Sequence, residues 1–205
     1  MFERPRSEEI VAFHDWCHSM KDWAKSAAAR HPTGFWQPLE LNHRYNCLLW
    51  DEEDLARRQR VPAAEIAANK RAIDGFNQKR NDAIERIDET LLEGLSKVER
   101  KPGAKLNSEA AGSMVDRLSI LSLKIHHMRF QTVRADVDQA HIENCGLRLL
   151  RFLEQRRDLA GCFDRLLAES LRGEAWFKIY RQFKMYNDPS LNPAVYGEKR
   201  QPNRA

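Results

Sequence analysis

The sequence predicts an all-α fold, an antiparallel bundle of about six helices with a long hairpin between the second and the third. Three observations carry this. Apolar residues recur at helical spacing along nearly the whole chain. Runs of β-branched residues alternating with period two are absent. Only 9 of the 205 residues are glycine, so few positions invite turns or bulges. At roughly 100–200 residues per domain, the chain reads as a single helical domain over 1–205, with 187–205 an extended tail.

The first helix is predicted over 7–29, with Ser7 as N-cap and Ile10, Phe13, Cys17, Met20 and Ala24 on one face. The stretch from His31 to Pro38 ends it. The second helix, 38–60, opens on Pro38, because a first-turn proline gives up no helical hydrogen bond. Val61-Pro62 breaks the chain, since the residue before proline avoids the α region. The third helix is long, 63–98. Residues 100–112 are polar, include Pro102 and Gly103, and read as a loop. The fourth helix, 113–130, is apolar almost all round, which marks it as central. The fifth, 135–171, stops at Gly173, and a last helix spans 174–185. Three prolines then keep the tail extended.

Composition narrows the function classes. Lys and Arg total 34 and Asp and Glu 30, a net charge of +4. The two signs are interleaved, which disfavours nucleic-acid binding. No apolar run is long enough to span a membrane. The opening MFERPRSEEI lacks the apolar stretch of a signal peptide. The four cysteines form no CxxC and fall within predicted helices, so they read as reduced, buried thiols of a cytoplasmic protein. GxGxxG, P-loop and GxSxG motifs are absent.

The informative feature is polar residues on apolar stripes. Ile66, Ile73, Ile84, Ile87, Leu91, Leu95 and Val98 share one face of the third helix at about 100° per residue. Lys70, Asn77 and Arg80 interrupt that face, and Asp74, Asn81 and Asp88 lie at its edge. Unpaired buried charge costs several kcal/mol, roughly, so these groups need partners, a ligand or water. The second helix carries His43, Asn46, Trp50, Glu53, Asp54 and Arg57 on one face, with Leu41, Leu48 and Leu55 opposite. A solvated face is the competing reading, and Trp50 in its middle argues against it.

In a hairpin turning at Val61-Pro62, facing residue numbers sum to about 123. That pairs Glu53 with Lys70, Trp50 with Ile73, Asn46 with Asn77 and His43 with Arg80. On the fourth helix Asp116, Ser119, Leu123 and His127 share a side, flanked by Arg117 and Lys124.

These residues point to a pocket between helices two, three and four. Lys70, Arg80 and Arg57 or Lys124 suit an anion, the arginines through their planar fork. Glu53, Asp54 and His127 are the acid or base candidates. Asn46 and Asn77 would orient hydroxyls. His43, Asp74, Asn81, Asp116 and Arg117 complete the polar lining, and a turn over 185–189, with Asn187 and Asp188, closes it. No metal is assigned. His14 and His18 have i,i+4 spacing but no third ligand nearby in sequence. Glu40-x-x-His43 and Asp138-x-x-His141 give an incomplete carboxylate–histidine set. No cofactor follows from the sequence.

Several segments occur together: NHRYNCLLWDEEDLAR from Asn42, KRAIDGFNQKRNDAIERID from Lys70, GSMVDRLSILSLKIHHM from Gly112 and YRQFKMYNDPSLNP from Tyr180. Their order resembles an uncharacterised bacterial all-helical family, domain of unknown function 4254. The resemblance implies a cytoplasmic role near sugar or glycosyltransferase chemistry, in lipopolysaccharide and other surface-glycan contexts. It brings no catalytic residues to carry over. Asp51 departs from it, since the family pattern has His after the Trp.

Two functions stay open. One is a protein, enzyme or not, that binds an anionic, oxygen-rich small molecule such as a phosphosugar or sugar nucleotide. The other is a non-catalytic scaffold that partners a glycosyltransferase or other glycan-biosynthesis enzyme, or itself as a homo-oligomer. Nucleic-acid binding is a distant third.

Overall fold

A computed structural model describes residues 4–25, 28–183 and 188–198. Six α-helices occur among them: α1 Ser7–Ser19, α2 Trp36–Ala56, α3 Ala63–Gly94, α4 Ala111–Gln131, α5 Gln139–Leu171 and α6 Pro193–Glu198. Two short strands, β1 Lys105–Leu106 and β2 Ala175–Trp176, pair in parallel. The all-α prediction and the α2–α3 hairpin hold, and these two helices pack along their length. Among the described residues no helix is long and apolar enough to cross a membrane.

Helix α4 is central, as its sequence predicts. Met114, Val115, Leu118 and Leu121 are buried on it, against Ile10 and Phe13 of α1, Ile87 and Leu91 of α3, and Phe163 and Leu167 of α5.

Helix α1 is shorter than predicted. Nothing between Met20 and Ala29 is proline or glycine, so the sequence offers no stop. Asp22 nevertheless adopts a left-handed φ of 53°, which Asp tolerates better than most residues. The reversal drops Trp23 into the core, where Arg44 lies over its ring at 4.7 Å. Helix α3 stops at Gly94, ahead of the predicted 98. Helix α5 starts at Gln139, where the Asp138 carboxylate caps it by accepting from the His141 N–H at 2.7 Å.

The helix predicted over 174–185 does not form among the described residues. Gly173 ends α5 at a φ of 72°, and a side chain there would strike the Glu99 carbonyl. Lys101 N–H donates to the Gly173 carbonyl at 2.9 Å, and the chain continues as β2 beside β1. Ala175 and Phe177 point inward and Trp176 and Lys178 outward, a period of two. Arg181 fastens the segment to α3 through Glu85 and Glu89. Residues 184–185 lie outside the described residues. The predicted extended tail instead holds α6, whose first turn is capped by the Asn192 side chain accepting from Ala194 N–H. Of the four cysteines, Cys17 and Cys145 are buried, Cys47 half-buried and Cys162 exposed, which corrects the expectation that all are buried.

Helices α3 and α4 meet backbone to backbone. Gly112 allows it, because a Cβ there would collide with the Ile84 carbonyl. The buried Asp88 carboxylate accepts from Gly112 N–H at 2.6 Å, at the start of α4. Burial pushes the Asp88 carboxyl up to about 7; the Gly112 N–H opposes this and Glu85 adds to it. A folded pKa above the ordinary 3.8 means that its contribution is full below that value and lost as pH rises towards 7. Asp88→Asn keeps the acceptor but cannot ionise. The stability of the wild type relative to this variant should therefore fall with rising pH, by up to roughly 1.4 kcal/mol per pH unit within the window. Thermal melts at several pH values check this, and a constant difference would contradict it.

Candidate functional site

The polar face of α2 meets α4, not α3. Asn42 and Asn46, one turn apart, both donate through Nδ2 to Asp116 Oδ1, at 2.8 and 2.9 Å. Asn46 Nδ2 also lies 3.0 Å from Ser119 Oγ, and His43 Nδ1 lies 2.8 Å from the same oxygen. All five side chains are buried. From α3, Arg80 Nε approaches Asp116 Oδ1 to 3.9 Å, too far for a hydrogen bond, and that buried Nε has no other partner.

The α2–α3 hairpin uses a neighbouring face. Glu52 accepts from Asn69 at 2.7 Å, and Tyr45 stacks on Phe76 with centroids 6.2 Å apart. These numbers sum to 121, close to the predicted 123, so the register is nearly right. The facing side chains differ because one residue turns a helix by about 100°. Positions 45 and 52 face α3, which leaves 42, 43 and 46 for α4. Four predicted pairs are corrected accordingly. Glu53 pairs with Arg57 at 3.0 Å, and Lys70 with Asp74 at 2.6 Å on the exposed side. Asn46 and His43 bond to α4 instead of Asn77 and Arg80, and Trp50 stacks on His127.

A cavity of about 320 Å³ opens between α2, α3 and α4. Asn46, Trp50, Glu53, Asp54, Arg57 and Arg80 form its polar wall, with Leu49, Ile120 and Leu123 as its apolar part. Behind Arg80 lies Asp116. His127 lies flat on Trp50, at 4.5 Å and 7°. Burial lowers the His127 pKa, while Asp54 and Asp51 pull it back up.

Other candidates sit elsewhere. Arg117 pairs with Glu109 at 2.7 Å, and Lys124 lies over the Phe152 ring at 5.7 Å, both on the α4–α5 side. Asn77 is half-buried on α3, and Asn81 is buried with its Oδ1 unpartnered. Asp188 is exposed and accepts from Ser190. Asn187 lies outside the described residues.

A second cluster was not assembled from sequence. His14 and His18 of α1 meet His43 and Cys47 of α2. His14 stacks on His43 at 4.3 Å, His18 meets it edge-on at 4.9 Å, and Cys47 Sγ is 3.8 Å from His43 Nε2. His126 of α4 stacks on His18 at 4.5 Å. Burial holds all three inner imidazoles neutral: His14 is lowered to about 3, with His18 and Arg156 adding to the effect, His18 to about 4, and His43 well below its ordinary value. Burial also raises the Cys47 thiol to about 12. Both i,i+4 pairs are visible in the sequence, but their convergence needs the α1–α2 packing. The two carboxylate–histidine pairs are structural. Glu40 accepts from the N–H groups of Arg30 and His31, at 3.0 and 2.9 Å, and Asp138 caps α5.

A family model described as "Protein of unknown function (DUF4254)" matches residues 36–179. The chain belongs to this family. No curated protein and no solved structure matches it. The DUF4254 match covers α2, α3 and α4, and so every wall of the cavity, while α1 with His14 and His18 precedes it.

Removing the Asp116 carboxylate strands the buried Asn42 amide and leaves Asn46 with Ser119. Asp116→Ala should therefore lose about 1–3 kcal/mol in urea unfolding, and Asp116→Asn, which keeps an acceptor, clearly less. Equal losses would show that the acceptor is not what matters.

Proposed function

We propose that this DUF4254 protein binds a small anionic, oxygen-rich molecule of the phosphosugar or sugar-nucleotide class in the cavity between α2, α3 and α4. One observation carries the reading. Arg80 borders the cavity with a buried Nε that has no hydrogen-bond partner, held in place by Asp116 at 3.9 Å. A guanidinium so placed offers a planar fork to a phosphate. Asn46, Glu53 and Asp54 supply the amide and carboxylates that suit hydroxyl groups. The cavity, at about 320 Å³, is at the small end of ligand sites, roughly 300–1,000 Å³. It suits one sugar-phosphate unit, with any nucleoside lying outside. For an enzymatic step, the acid–base groups at this cavity are Glu53 and Asp54, whereas His127, stacked on Trp50, lines the neighbouring cavity. A cytoplasmic role in surface-glycan metabolism follows from the family resemblance and belongs to this proposal.

A thermal-shift screen of sugar phosphates and nucleoside-diphosphate sugars tests it. A ligand at 100 times its Kd adds about 2.7 kcal/mol, a measurable rise in Tm. Arg80→Gln should abolish the shift with helicity retained. Binding that survives in Arg80→Gln, or no shift with any member of either class, counts against the reading.

A second reading, a scaffold docking a partner enzyme or a second copy, is favoured by exposed apolar side chains. Phe130, Val133, Leu147 and Leu150 near the α4 end and on the first half of α5 are 56%, 77%, 59% and 63% exposed. Exposed apolar residues that gather into a patch mark interaction sites. If the face is self-associating, light scattering should give a mass above the monomer that reverts in the Leu147→Glu, Leu150→Glu double variant. A concentration-independent monomer removes the homo-oligomer form.

A further inference from the structure

We infer that His18, His43 and Cys47 form a binding site for a borderline-soft divalent transition metal of the zinc class. One donor atom from each lies within 4.8 Å of the others, the one such group of three found among the described residues. The Cys47 Sγ to His43 Nε2 distance is 3.8 Å. With metal–sulfur and metal–nitrogen bonds of about 2.3 and 2.1 Å, a tetrahedral site needs about 3.6 Å along that edge. The α2 half of the site is thus nearly at its final spacing. His43 and Cys47, one helical turn apart, project from a single face of α2, and the His18 ring closes in from α1.

One donor is also unspent. His18 Nε2 is buried without a hydrogen-bond partner. A buried unsatisfied nitrogen costs roughly 1–3 kcal/mol. Ordinary core packing leaves that cost unanswered, whereas a metal engages the His18 lone pair directly. The remaining shell suits a metal as well. Ser119 Oγ stands 2.8 Å from His43 Nδ1 and is itself positioned by Asn46. That is the outer contact that fixes the orientation and tautomer of a ligating imidazole. With the metal on Nε2, the ring proton sits on Nδ1 and Ser119 accepts it.

Three protein ligands leave a fourth position open, as in catalytic zinc sites. A cavity of about 200 Å³ is lined by His18 and Cys47, with Asp51, His126 and His127 among others, and has room for water or a small ligand beside those two donors. Coordination replaces the Cys47 S–H bond with a metal–sulfur bond and releases one proton to solvent. This inference is independent of the phosphosugar reading, because its test uses the metal alone.

The test is a Co(II) titration of the full chain, without a histidine tag, stripped with chelator and kept reduced. The expected result is a thiolate-to-cobalt charge-transfer band and intense four-coordinate visible bands, saturating at one equivalent and bleached by Zn(II). Cys47→Ser should lose the charge-transfer band, and Cys17→Ala and Cys162→Ala should keep it. Ser119→Ala should keep the band but weaken affinity about 10–100-fold. Should Cys47→Ser fail to fold, His18→Gln, at a half-buried position, should weaken binding and remove the four-coordinate bands. No band at excess Co(II), a band that survives in Cys47→Ser, or four-coordinate bands unchanged in His18→Gln would overturn the site.

Discussion

A single carboxylate oxygen holds three helices in register. Asp116 Oδ1 accepts from two amides of α2 and faces the Arg80 guanidinium of α3, from the central helix of the bundle. Such a group is costly to bury and more costly to strand, so the surrounding donors have little freedom to move. This constraint sets the rotation of α2 about its own axis. Once Asn42 and Asn46 point at α4, His43 must fall beside Ser119, and Cys47 one turn further along. Trp50 and Glu53 then line the opening towards α3. The cavity and the histidine cluster are both consequences of that one rotation.

The two sites are neighbours. Leu123 lines both cavities, and the stacked pair of Trp50 and His127 divides its rings between them, Trp50 lining one and His127 the other. Asn46 joins them chemically, since its amide reaches both the Asp116 carboxylate and the Ser119 hydroxyl that touches His43. A change in the donor set on one side therefore has a short path of hydrogen bonds to the other.

Much of this was legible in the sequence, for physical reasons. A 3.6-residue period and a proline break specify helices and a hairpin, and the apolar wrap of α4 specifies its central place. Asn46, Glu53, Asp54, Arg57 and Arg80 stand out in the sequence because polar groups on apolar stripes need an explanation, and they do share a cavity. Their partners were wrong because a hairpin register fixes which turns face each other but not which side of each turn. The helix predicted after Gly173 failed for another reason. Ala175, Phe177 and Ile179 alternate over too few residues to outweigh a helical reading, and only the backbone of the α3–α4 connector reveals a strand. His14 and His18 lack a third ligand nearby in sequence, because it comes from another helix and so has no sequence spacing to detect.

The parallel β1–β2 pair also gives the molecule a stiff end and a soft one. At one pole, main-chain hydrogen bonds and the tight approach at Gly173 staple the α3–α4 connector to the chain leaving α5. At the other, the α2–α3 turn is braced by exposed side chains such as Arg58 and Glu65, whose ion pair is weak in water. Local opening begins where such support is thinnest. The rim residues Glu53 and Arg57 stand beside that turn, so the doorway of the cavity has the weaker of the two braces and the clasp lies at the far end of α3.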